Sequence, residues 1–77
     1  MDNTESAEIQ EPIFINGMVN TDALNVHEEP KENSEVLGII YKSTNVLIDN
    51  DESTEDFYKV CTETGLEGFC MKQFITV

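Results

Sequence analysis

From Ile13 onward, apolar side chains alternate with polar ones in short runs, and no stretch repeats at the three-to-four spacing of a helix. Each run is a strand candidate bounded by turn-forming residues. Phe14–Asn20 carries Asn16-Gly17 at its middle, a dipeptide that predicts a tight turn or a bulge. In Ala23–His27, Leu24 and Val26 share one face. The polar stretch 28–34 follows, and Pro30 keeps it out of a central strand. Glu35–Tyr41 reads as the next strand, with an apolar pair on either side of Gly38. Lys42-Ser43-Thr44 turns the chain into the apolar run Asn45–Ile48. A second acidic loop, Asp49–Asp56, leads to the alternating Phe57–Cys61, and Thr62–Gly65 turns that strand back into Leu66–Cys70. Met71–Phe74 has room for one helical turn before Ile75–Val77. Five short strands joined by polar loops imply an all-β fold, either a small barrel or an orthogonal sandwich.

Residues 1–11 break from this pattern. They are acidic, polar and aperiodic, and are expected to form a disordered leader, with Pro12 marking the change of character. The chain thus divides into a flexible acidic leader over 1–12 and one domain over 13–77. A chain of 77 residues buries only roughly 60–65% of its unfolded surface, so every large side chain counts towards the core. Sixteen Asp and Glu stand against four Lys and no Arg, a formal charge of −12. Such a surface repels phosphate backbones and anionic bilayers, so neither nucleic acid nor membrane is an expected partner. The same charge density favours a monomer. A domain this small encloses no large cavity, so no cofactor is expected. Met1-Asp2-Asn3-Thr4-Glu5 has no basic or apolar targeting region. A chain complete at these ends is expected in the cytoplasm, and one cut from a longer exported protein at the cell wall or outside it.

Candidate chemistry is sparse. Cys61 and Cys70 sit across an expected hairpin and read as two reduced, small apolar side chains, with a cross-strand disulfide dependent on register. One histidine, His27, ends a strand before a charged loop, and no orienting carboxylate stands at a telling spacing, so no catalytic residue is expected. The loop from Asp49 places Asp51 third but Ser53 fifth, Thr54 sixth and Val60 twelfth. A calcium loop needs glycine at the sixth position and a carboxylate at the twelfth, so no metal site is expected there.

The order of motifs resembles the bacterial SH3 domain family. Gly17-Met18-Val19 opens the pattern, Leu24-Asn25-Val26-His27 follows, and Glu29-Pro30 sits in the polar loop. Val36-Leu37-Gly38-Ile39-Ile40 fills the next strand, Phe57-Tyr58-Lys59-Val60 and Gly65-Leu66-Glu67-Gly68-Phe69-Cys70 form the hairpin, and Phe74-Ile75 closes it. The likeness covers roughly residues 17–77 and implies a small five-stranded SH3-like barrel. The chain is also similar to small stand-alone SH3 proteins of Firmicutes phages and mobile elements. It departs from the family pattern where His27 replaces an arginine, Phe57 and Phe69 replace a tryptophan pair, and Cys70 replaces a core valine.

The resemblance implies a non-catalytic binding module for peptidoglycan peptides or a protein partner. It implicates Phe57 and Phe69 in an aromatic groove, with Tyr41 and His27 at the rim. Such a groove holds an extended peptide between aromatic walls. Carboxylates of the flanking loops, Glu28 and Glu29 among them, suit a ligand with a free amine, such as the diamino acid of a peptidoglycan stem. The charge of −12 supports a different expectation, an acidic inhibitor that imitates nucleic acid and blocks a basic protein.

Overall fold

The structure, a computed structural model, describes residues 13–77. The expected leader over 1–12 lies outside the described residues. Seven strands form one antiparallel sheet: β1 (Phe14–Val19), β2 (Ala23–His27), β3 (Val36–Tyr41), β4 (Asn45–Asp49), β5 (Phe57–Thr62), β6 (Glu67–Met71) and β7 (Ile75–Thr76). Their order across the sheet is β3-β2-β6-β5-β4-β1-β7. A 3-10 turn over Lys72–Phe74 separates β6 from β7, where one helical turn was expected.

The period-two pattern decides which way each strand faces. Leu24 and Val26 of β2, Val46 and Ile48 of β4, and Val60 of β5 are buried, and the residues between them turn outward or lie half-covered. Val19 from β1, Ile40 from β3 and Ile75 from β7 join the same apolar cluster. Strands from both ends of the sheet therefore share one core, so the sheet is rolled into a small SH3-like barrel. Backbone bonds tie the roll at one end. The Val19 N–H donates to Thr44 O at 3.0 Å, and the Ser43 N–H donates to Val19 O at 2.9 Å. β3 and β7, the outermost strands, do not pair with each other, so the barrel keeps an open seam.

The sheet exceeds the expected five strands because β1 and β7 pair, Met18 with Thr76 and Val19 with Ile75. Asn16-Gly17 makes neither turn nor bulge: both residues lie inside β1, opposite Leu47 and Val46. Gly17 answers to packing instead. A Cβ there would stand 2.8 Å from both the Ile48 and Ile75 side chains, closer than carbon atoms approach. The other expected turns are present. Gly65 takes φ +91°, the left-handed conformation that ends the β5–β6 turn, and its N–H donates to Thr62 O at 3.0 Å.

Candidate functional site

Two loops and the 3-10 turn meet over β5 and β6. The β2–β3 loop is held at its base by the Glu28 N–H donating to Glu35 O at 2.8 Å. Within it, the Ser34 hydroxyl lies 3.1 Å from both Glu29 N and Glu29 O. The β4–β5 loop is organised by Asp49, whose Oδ1 accepts from the Asp51 and Glu52 N–H groups at 3.1 and 3.3 Å. Its far end is fixed by Ser53, which donates to Asp49 O at 2.9 Å and accepts from the Lys59 N–H at 3.0 Å. The Lys72 N–H donates to Asp56 O at 2.9 Å, fastening the 3-10 turn to that loop.

The cleft between these elements has a volume of about 680 Å³ and is lined by Glu32 and Asn33 from one loop, Glu55 and Asp56 from the other, and Phe57, Met71 and Lys72. A smaller cavity of about 260 Å³, lined by Leu24, Asn25, His27 and Phe74, shares Glu32 and Met71 with it. Together they form one trough of mixed lining, with Phe57 and Met71 at its floor and a rim of three carboxylates. Lys72 brings the trough's one positive charge, and its Nζ stands 5.0 Å from the centre of the Tyr58 ring, within cation–π range.

The structure brings His27 and Phe57 together. Their ring centroids are 6.3 Å apart at an interplanar angle of 86°, an edge-to-face pair. Both are buried, at 7% and 6% exposure. The alternation of Phe57 and Tyr58 suggests one free ring, yet neither is free: Tyr58 packs against the core from inside, while Phe57 is covered from outside by His27. His27 Nδ1 lies 3.3 Å from Ser34 O, so the loop turns back onto the ring. Phe69 pairs with His27 across β2 and β6 but does not line the trough. It sits half-buried beneath Lys59, whose Nζ is 5.6 Å from its centroid.

Glu28 and Glu29 are exposed on the β2–β3 loop but outside the trough lining, and Glu29 pairs with Lys31 at 3.4 Å. Tyr41 belongs to another place altogether. It is 60% exposed and lines a groove of about 450 Å³ between β3 and the β5–β6 turn, which shares no residue with the trough. Glu32, Asp56, Met71 and Lys72 were not singled out by the sequence. Nothing in their spacing could have done so, because they converge only when three separate connections fold together.

The cysteines are free and unable to pair with each other. Cys61 stands opposite Glu67 and Cys70 opposite Tyr58, so they are displaced along the hairpin. Cys70 faces the core while Cys61 lies half-covered on the outer surface. Among the described residues, no cluster of His, Cys, Asp and Glu is arranged to hold a metal ion.

Residues 22–76 match the family model described as bacterial SH3 domain. A comparison with curated proteins found no match. The matched span runs from the start of β2 to β7 and includes both loops of the trough. The rolled antiparallel sheet, the 3-10 turn before its last strand and this span agree, and the chain belongs to the bacterial SH3 domain family.

Proposed function

We propose that this protein is a non-catalytic module that holds an extended peptide in the trough between its two acidic loops. Bacterial SH3 domains are in general binding modules. The observation that carries the reading is the convergence of Glu32, Glu55 and Asp56 around the apolar floor of Phe57 and Met71. Apolar floor and charged rim divide the work: the floor takes the peptide's side-chain or Cα surface, and the rim selects its charge. Three carboxylates favour a ligand with a free amine or a basic side chain. Lys72, at the same rim, offers one site for a carboxylate. A short peptide bearing both groups fits that pairing, and the amine-bearing stem peptides of peptidoglycan are the ligand class of first choice.

The aromatic contribution differs from a pair of exposed walls. Phe57 presents what remains uncovered by His27, so it forms a floor beneath the ligand rather than a clamp around it. Phe69 serves the outer surface of the hairpin instead.

Calorimetric titration with a muropeptide carrying a free diamino-acid amine tests the proposal. Changing Glu32→Gln, Glu55→Gln and Asp56→Asn together should weaken binding about tenfold, since exposed ion pairs are individually weak. All three side chains are exposed, so the variant keeps its fold. Equal affinity in the triple variant and the parent would remove the acidic rim from recognition.

A further inference from the structure

Strand β3 ends the sheet, so one of its edges has no strand beside it. The Lys42 N–H donates to Asp22 O at 3.3 Å, and bonded pairs alternate along an antiparallel ladder. Ile40 and Gly38, opposite Leu24 and Val26, are therefore bonded towards β2, and Ile39 and Tyr41 turn their backbone groups outward; Leu37 is the extra residue of a bulge, where the register shifts between Val26 and His27. Tyr41 agrees with this alternation: its N–H donates to Thr44 Oγ1 at 3.3 Å and its carbonyl accepts from the Thr44 N–H at 3.0 Å, both away from β2. Among the described residues, no hydrogen-bond partner meets Ile39 on that side.

The edge is also apolar. Leu37 and Ile39 are 41% and 48% exposed, and the six residues of β3 contain no charge. Natural edge strands are usually protected by a charge, a proline, a bulge or a covering loop; β3 has neither charge nor proline, and its one bulge stands at Leu37. Beside it runs the groove lined by Ile39 and Tyr41 of β3 and by Thr62, Glu63 and Leu66 at the β5–β6 turn. Leu66 plugs its base: a Cβ on Gly38 would stand 2.8 Å from the Leu66 side chain.

We infer that the β3 edge is a second binding surface, separate from the trough, which takes an extended basic segment of a partner protein as an added strand. Its backbone would pair with Ile39, and alternate side chains would enter the groove beside the strand. The charge of the segment follows from complementarity. Glu63 lines the groove, Glu35 precedes the strand, and the chain carries −12 overall. A second copy, with the same large negative charge, is a poor occupant.

The probe is an end-capped heptapeptide of alternating lysine and valine, titrated into labelled protein while amide exchange is followed by NMR. The expected result is slowed exchange at the Ile39 amide. Methylating alternate peptide nitrogens should weaken binding roughly tenfold or more, because the paired backbone bonds are lost. Ile39→Pro should do the same, since it removes an edge donor where proline is tolerated. The methylated peptide gives that answer even if the variant fails to fold. Any of three outcomes overturns the inference: no protection at Ile39, shifts confined to Glu32, Glu55 and Phe57, or protection that grows with protein concentration alone.

Discussion

Burial holds the Cys70 thiol neutral well above the pH at which a thiol in water ionises, pushing its pKa from 9.0 up to about 12. The unfolded chain releases that proton near 9 and the folded chain does not. From about pH 9 to about pH 12, therefore, the unfolded state binds fewer protons and stability falls as pH rises. The slope contributed is at most about 1.4 kcal/mol per unit. Urea unfolding of Cys70→Ala across this range should show a shallower decline than the parent, and identical slopes would contradict the assignment. Cys61 is half-exposed and Cys70 fully buried. A thiol reagent should accordingly modify one cysteine in the native protein and two after unfolding. Phe57 is the ring whose removal costs most. Cutting it to alanine should destabilise by about 3–5 kcal/mol, whereas Phe69→Ala, at a half-exposed ring, should cost less. Loss of binding in a Phe57→Ala variant thus reports folding as much as recognition.

At the scale of elements, two glycines of one hairpin separate conformational from steric demands. Gly65 has positive φ and open space where a Cβ would stand, so Gly65→Ala should cost about 1–2 kcal/mol of backbone strain. Gly68 has an ordinary φ, but a Cβ there would stand 2.6 Å from His27 O and from Val26 Cγ1. Backbone cannot give way as a flexible side chain can, and β2 and β6 share a single ladder pair, His27 with Phe69. Gly68→Ala should therefore lower the urea midpoint well beyond Gly65→Ala, and equal midpoints would mean that β2 moves aside freely. Alternation made β2, β4, β5 and β6 legible in the sequence, because a half-buried strand must show it. Gly17 misled, because a glycine needed for close packing against Ile48 and Ile75 looks the same in sequence as one needed for a turn. The trough was legible only in part. His27 and Phe57 stood out by type, but Glu32, Asp56 and Lys72 become neighbours through loop geometry, which no local pattern encodes.

The whole molecule carries a large unbalanced charge, −12 over 77 residues. Among the described residues the one salt bridge, Glu29 with Lys31, joins two well-exposed side chains and offsets little of it. Repulsion between carboxylates then opposes folding, and salt should relieve it as the screening length shortens from about 30 Å at 0.01 M to about 3 Å at 1 M. The melting temperature should rise with sodium chloride, each kcal/mol gained appearing as roughly 4–8 °C in a domain of this size. A melting temperature that fell with salt would mean that favourable ion pairs outweigh the repulsion. Binding should respond the other way, because the same screening weakens attraction between the acidic rim and an amine-bearing ligand.

On the proposed reading, ligand binds in the trough between the two acidic loops. An amide correlation NMR spectrum recorded while titrating a soluble, amine-bearing muropeptide addresses it most directly. A dispersed spectrum is expected in which Asn33, Glu55, Asp56, Phe57, Met71 and Lys72 shift in proportion to occupancy. A dispersed spectrum in which those resonances stay in place at saturating muropeptide would contradict it.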